Sequence, residues 1–82
     1  MSTQTQTLTD QLLDLITAKY ADPSDTDAET SFEDLDFDSL VLVEVAVALS
    51  GRYDITVTDE ELREAGNIAG TVALLEAKGV QA

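Results

Sequence analysis

The segment that most constrains the fold is the long apolar run SLVLVEVAVALSGRY at residues 39–53. Its valines suit a buried strand, but roughly fourteen residues without a turn signal exceed the usual strand of about 5–6 residues. Asp38 and Ser39 are residue types that begin helices, and Gly51 lies near the far end. The run therefore predicts a helix.

This helix has two apolar faces instead of one. A surface helix normally buries a single stripe at i, i+3, i+4 and i+7 spacing. Here a second stripe follows the same spacing on another face, so the helix is either buried on all sides or presents that stripe to a partner. The small size of the chain favours a partner surface. The core-facing set is Leu42, Val45, Ala46, Leu49 and Tyr53; the second set is Leu40, Val43 and Val47, with Glu44 among them.

A first helix is predicted from Thr7 to Tyr20, with residues 1–6 frayed. Thr7 and Asp10 resemble a capping box, and the sequence Asp22-Pro23 ends the helix. Its apolar face consists of Leu8, Leu12, Leu15 and Ile16.

Two helices are predicted after the central one. The sequence TDEE at residues 58–61 is a capping-box signal for a short third helix that stops at Gly66. A last helix is expected at residues 71–78, after Asn67 and Gly70, with Lys78 in its closing turn and Gly79 beyond it. The sequence therefore predicts an all-α fold, a small four-helix bundle with three longer helices and one short third helix. Residues 1–82 are expected to form a single domain.

The long loop between the first two helices, residues 21–37, is rich in acids. A calcium-binding EF-hand loop needs glycine at its sixth position. Registers that start at Asp25 or Asp22 place Thr30 or Asp27 there instead. The sequence predicts no metal site.

The chain carries 17 acidic and 4 basic residues, a net charge of −13. Such a surface repels nucleic acid and anionic membranes and attracts proteins that present basic patches. The absence of cysteine and histidine removes thiolate chemistry and the usual general base, so the chain is not expected to be an enzyme. With no signal peptide or apolar span, we expect a soluble cytoplasmic protein, monomeric alone.

Ser39 lies where the acidic loop meets the apolar helix. A nucleophilic serine would need a general base; the chain has no histidine, and Lys19 and Lys78 are expected at exposed helix ends. Two interpretations stay open on physical grounds alone. Ser39 caps the helix, or it is an exposed hydroxyl that receives a phosphodiester, which a helix N-terminus favours.

The stretch SFEDLDFDSLVLVEVAVAL resembles the acyl carrier protein family, which has a D-S-L motif after an F-x-x-D-L turn and before a helix containing V-E. RYDITVTDEE is similar to the family's stretch from the second helix into the third. The resemblance covers essentially the whole chain and suggests a free-standing carrier.

This resemblance implies that Ser39 carries a 4′-phosphopantetheine arm, next to the motif acid Asp38. A separate magnesium-dependent phosphopantetheinyl transferase would transfer the arm from coenzyme A, and its thiol would hold acyl intermediates as thioesters. Leu40, Val43, Glu44 and Val47 fall where the family's second helix meets ketosynthase and other synthase enzymes. Leu42, Ala46 and Leu62 are candidate walls of an acyl pocket.

The chain also departs from the family pattern. Asp36 and Thr58 stand where the family usually has glycine and proline. Fatty-acid carriers tend to have acids where this chain has Ser50, Gly51 and Arg52. The sequence LSGRY is closer to carriers of type II polyketide synthases, which often read R-Y there.

The resemblance therefore favours a carrier of a dissociated polyketide synthase, with a fatty-acid synthase carrier second. An acidic, non-enzymatic adaptor or calcium-responsive module that uses the acidic loop is the alternative from another class. A peptidyl carrier is disfavoured, because those usually show G-G-x-S where this chain reads DFDS.

Overall fold

Four α-helices, joined by one long and two short connections, make up the residues that the structure describes. The structure is a computed structural model, which describes the backbone of residues 3–80 and the side chains of residues 6–80. The predicted all-α fold with a short third helix is confirmed. The helices are α1 (Thr3–Lys19), α2 (Ser39–Tyr53), α3 (Asp59–Ala65) and α4 (Ile68–Ala77).

The ends of α2 and α3 follow from local signals. The Asp38 carboxylate accepts a hydrogen bond from the Val41 N–H at the start of α2. Thr58 and Glu61 form the predicted capping box at the start of α3. Gly66 ends α3 in the left-handed conformation with φ of 79°, which glycine adopts without steric cost.

The predicted starts of α1 and α4 were wrong. The first helix begins at Thr3, four residues before the predicted start, so Thr7 lies inside it and is not its N-cap. Nothing in the polar residues 3–6 breaks a helix, and each residue added to a formed helix gains a hydrogen bond. Of the segment predicted to be frayed, residues 1 and 2 lie outside the described residues.

The fourth helix begins at Ile68 because the Asn67 side chain caps it, accepting a hydrogen bond from the Gly70 N–H at 2.7 Å. Gly70 is therefore inside α4 and does not precede it. A Cβ at this position would collide with the carbonyl oxygen of Ala65. The glycine serves the close approach of α4 to the end of α3.

The core lies where α4 packs against α1 and α3 while α2 packs against α3. The predicted inner face of α2 is buried, with Tyr53 half-buried at its end. Because these side chains come from every helix and from the loop, no helix buries its apolar face alone. The buried apolar residues are Leu8, Leu12, Ile16, Phe32, Leu42, Val45, Ala46, Leu49, Val57, Leu62, Ile68, Val72, Leu75 and Val80.

The second half of the long loop is attached to the junction between α3 and α4. The Phe32 N–H donates to the Gly66 carbonyl, and the Ala69 N–H donates to the Ala28 carbonyl, both at 2.8 Å. Ser31 and Asn67 form an isolated antiparallel bridge between these bonds. The second half of the loop is therefore fixed against the junction between α3 and α4. Across the described part of the chain, no helix is long and apolar enough to cross a membrane.

Candidate functional site

Ser39 is the first residue of α2, and its side chain is exposed. The interpretation of Ser39 as the helix cap is wrong, because Asp38 takes that role. Asp38 has the extended backbone of a capping residue, with φ of −83° and ψ of 179°, and its Oδ1 accepts the Val41 N–H at 2.9 Å. The Ser39 hydroxyl is therefore not needed to begin the helix.

Arg63 is the residue of this site that the sequence did not predict. Its Nη2 donates a hydrogen bond to Ser39 Oγ at 3.2 Å, across a separation of 24 residues. In the sequence, a basic residue in the last turn of a helix suits the helix dipole and needs no other explanation. The only signal in the sequence that could have pointed to Arg63 was that the chain has just four basic residues.

The second stripe of α2 lies at the surface, as predicted. The exposed fractions of Leu40, Val43 and Val47 are 68%, 42% and 67%. Glu44 is exposed beside them. An apolar surface therefore extends along α2 from the residue next to Ser39.

A cavity of about 330 Å³ lies between the end of the loop and α2 and α3. Of the three predicted pocket residues, Leu42 lines it, whereas Ala46 and Leu62 are buried in the core. The rings of Phe32 and Phe37 stack with their centroids 5.6 Å apart and form part of its wall. The lining residues are Ser31, Phe32, Glu33, Phe37, Leu42, Arg63 and Gly66.

The acids in the first half of the loop hold its turns. Asp22 Oδ1 accepts hydrogen bonds from the N–H and the hydroxyl of Ser24, and these bonds lower the Asp22 pKa. Asp27 Oδ1 accepts the Glu29 and Thr30 N–H groups at 2.8 and 2.9 Å, and the bond from Glu29 is the main cause of its lowered pKa. Both carboxylates thus replace backbone acceptors in tight turns. In the described residues, no group of three or more acids is arranged to hold a metal ion.

The site combines an exposed alcohol, a helix N-terminus and a guanidinium. The N-terminus of α2 bears partial positive charge, and the first N–H groups of a helix have no partner within it. Arg63 adds a full positive charge next to Ser39 Oγ. A phosphodiester on this oxygen would fit the charges and the exposure of the site.

Comparison with known proteins gives the class of this chain. The family model described as the phosphopantetheine attachment site matches residues 10–75. The chain is similar to an acyl carrier protein of Rhodococcus erythropolis, with 42% identity over 65 residues that cover 74% of this chain and 71% of that protein.

Two further relatives have similar names. A meromycolate extension acyl carrier protein of Mycolicibacterium aurum is 37% identical over 65 residues, covering 74% of this chain and 67% of that protein. An acyl carrier protein of an Exiguobacterium species is 38% identical over 58 residues, covering 70% and 73% of the two chains.

A helical protein of this class is a carrier and not an enzyme, and its prosthetic group is 4′-phosphopantetheine. The chain belongs to the acyl carrier protein family. Members of this family work with a phosphopantetheinyl transferase and with synthase enzymes.

Proposed function

We propose that Ser39 carries the phosphopantetheine arm and that this single-domain chain serves a cytoplasmic, dissociated polyketide synthase. The observation that carries the attachment is the exposed Ser39 hydroxyl at the start of α2, which accepts a hydrogen bond from Arg63. Asp38, and not Ser39, caps the helix. The arm supplies a terminal thiol that holds acyl groups as thioesters. This chain, which has no cysteine, would obtain its only thiol in this way.

The role of Ser39 in the loading reaction is that of an acceptor. Its oxygen would form a bond to the phosphorus that bears the pantetheine group of coenzyme A. The bond from that phosphorus to the adenosine bisphosphate then breaks, and the transferase accepts the serine proton. Asp38 contributes by holding the first turn of α2, so that Ser39 is presented on a fixed helix end.

We propose that the exposed stripe of Leu40, Val43 and Val47, together with Glu44, is the docking surface for the synthase enzymes. These side chains begin next to Ser39, so an enzyme seated on them would have the arm at its edge. The charge of −13 would steer basic partner surfaces toward the chain. A tethered intermediate reaches the docked enzyme at high effective concentration without chemistry by the carrier.

Two pathways remain candidates for the cargo. The polyketide assignment is supported by Arg52, whose guanidinium lies 5.9 Å from the centre of the Tyr53 ring in the last turn of α2, where fatty-acid carriers tend to be acidic. A fatty-acyl extension pathway is supported by relatives named for meromycolate extension. The reduction state of the acyl groups found on the arm in the source organism distinguishes these pathways.

Co-expression with a broad-specificity phosphopantetheinyl transferase tests the attachment. We expect the mass of the purified chain to rise by one phosphopantetheinyl group, and Ser39→Ala to abolish this rise. Ser24→Ala is the matched control, because it removes another exposed hydroxyl, in the loop, and should leave loading intact. A mass increase that persists in Ser39→Ala would contradict the assignment.

A further inference from the structure

Arg63 brings positive charge from α3 to the start of α2. Its Nη2 lies 3.2 Å from Ser39 Oγ, and Arg63 is also one of the residues that line the cavity beside the loop. A guanidinium presents five N–H donors in a planar fork, so a bond to Ser39 leaves donors for a second acceptor. Arginine is suited to phosphate because two of its N–H groups can bond to two oxygens of one anion.

Apart from Arg63 and the N-terminus of α2, the charged side chains nearest Ser39 are acidic. Asp38 is its neighbour in the chain, and Glu33 lines the same cavity as Arg63. The other three cations are placed elsewhere. They are Lys78, which pairs with Glu61 at 2.9 Å, Arg52, which lies over Tyr53, and Lys19, in the last turn of α1.

We propose that Arg63 is a positioning residue that pairs with the phosphodiester of the arm on Ser39. This pairing holds the first atoms of the arm against α3, beside the cavity that Arg63 lines. It also offsets the repulsion that the phosphodiester meets from the acids nearby. The proposal rests on the proposed attachment at Ser39.

The test compares the unloaded and loaded forms of the wild type, Arg63→Gln, Arg63→Lys and Arg52→Gln. Loading is verified by mass, and each form is followed by thermal unfolding and by ³¹P NMR of the phosphodiester. Arg52→Gln is the matched control, since it removes the same charge about 20 Å along α2 at roughly 1.5 Å per residue.

We expect loading to lower the Tm of Arg63→Gln by about 1–8 °C more than that of the wild type, as an exposed ion pair in a domain of this size would produce. The ³¹P resonance should also differ between these two loaded proteins. Arg63→Lys should lie between them, and added salt should reduce the difference in Tm. Arg52→Gln should respond to loading as the wild type does.

An equal Tm change on loading in all four proteins, with an unmoved ³¹P resonance, would refute the role of Arg63 and leave the attachment at Ser39 standing. If the wild type gains no phosphopantetheinyl mass, the attachment itself fails. If Arg63→Gln cannot be loaded, the role of Arg63 is decided by comparing Arg63→Lys with Arg52→Gln. The Tm change on loading and the ³¹P resonance are measured for both.

Discussion

Asp36 has a left-handed backbone conformation, with φ of 58°, three residues before Ser39. Its N–H donates to the Glu33 carbonyl at 3.1 Å, and this turn brings Phe37 back onto Phe32. Glycine adopts this conformation freely, whereas a residue with a Cβ is strained there. The glycine that related carriers usually have here thus has a physical reason, and aspartate tolerates the conformation better than most residues.

Replacing Asp36 separates backbone strain from charge. We expect Asp36→Gly to be more stable than Asp36→Ala by about 1 kcal/mol, because both variants lose the carboxylate and only alanine keeps the strain. Urea unfolding measures the difference. The same pair at Asp34, whose φ is not positive, should show the opposite order. Equal stability of Asp36→Gly and Asp36→Ala would mean that the turn relaxes without strain.

The two central residues of the site differ in how far the sequence could predict them. Ser39 was identified from the sequence because its signal is local: a D-S-L motif at the point where the acidic loop meets the apolar run. The D-S-L signal did not show which of Asp38 and Ser39 caps the helix, since both residue types are suitable. The contact with Arg63 joins residues 24 positions apart and depends on how α2 packs against α3.

At the scale of elements, α2 was the most predictable part of the fold. Helical spacing separates its buried residues from its exposed ones without any knowledge of neighbouring helices. The starts of α1 and α4 were less predictable. Residues 3–6 carry neither a breaker nor an apolar periodicity, and Gly70 was interpreted as a helix-breaking residue although it serves close packing.

The exposed stripe of α2 leads to a prediction about docking. We expect Val47→Asp to keep its helical circular dichroism and its loading, because Val47 is 67% exposed and surface changes usually alter stability by less than about 0.5 kcal/mol. Acyl transfer to a ketosynthase of a dissociated polyketide synthase should fall about tenfold or more in kcat/KM, as a charge enters an apolar contact.

Val45→Asp is the comparison for that experiment. Val45 is on the same helix but 1% exposed, so its aspartate would be buried without a partner and should unfold the domain. If Val47→Asp also unfolds, the second stripe belongs to the core and cannot be a docking surface. If both loading and transfer are unchanged, the enzymes dock elsewhere.

The whole molecule is acidic, with a net charge of −13. The contribution of one ion pair to its stability can nevertheless be tested separately. Glu61, in the capping box of α3, pairs with Lys78 at the end of α4. This bond, followed by the one from the Thr58 N–H, lowers the Glu61 pKa from its ordinary value of 4.5. The folded state therefore favours the ionised form, which ties two helices of the bundle together.

A carboxyl group whose pKa is lowered in the folded state stabilises the fold at pH values above its ordinary pKa. This contribution to the free energy of unfolding disappears as the pH falls through the lowered pKa. We expect Glu61→Gln to be less stable than the wild type near neutral pH and the difference to close below pH 4.5. Urea unfolding between about pH 7 and pH 3 measures it. Glu60→Gln, in the same turn but outside the pair with Lys78, is the matched control. A constant gap for Glu61→Gln would show that its charge is not responsible.

The attachment of the loop to the α3–α4 junction decides where this protein can be extended by engineering. Residues 22–27 bond mainly to their own turns, through Asp22 and Asp27. Ala28 and Phe32 instead bond to the backbone of Ala69 and Gly66. A fluorescent label or a fused peptide placed near Ser24 would therefore lengthen a self-contained turn. The same insertion between residues 28 and 32 would instead disrupt the backbone hydrogen bonds that attach the loop to the α3–α4 junction.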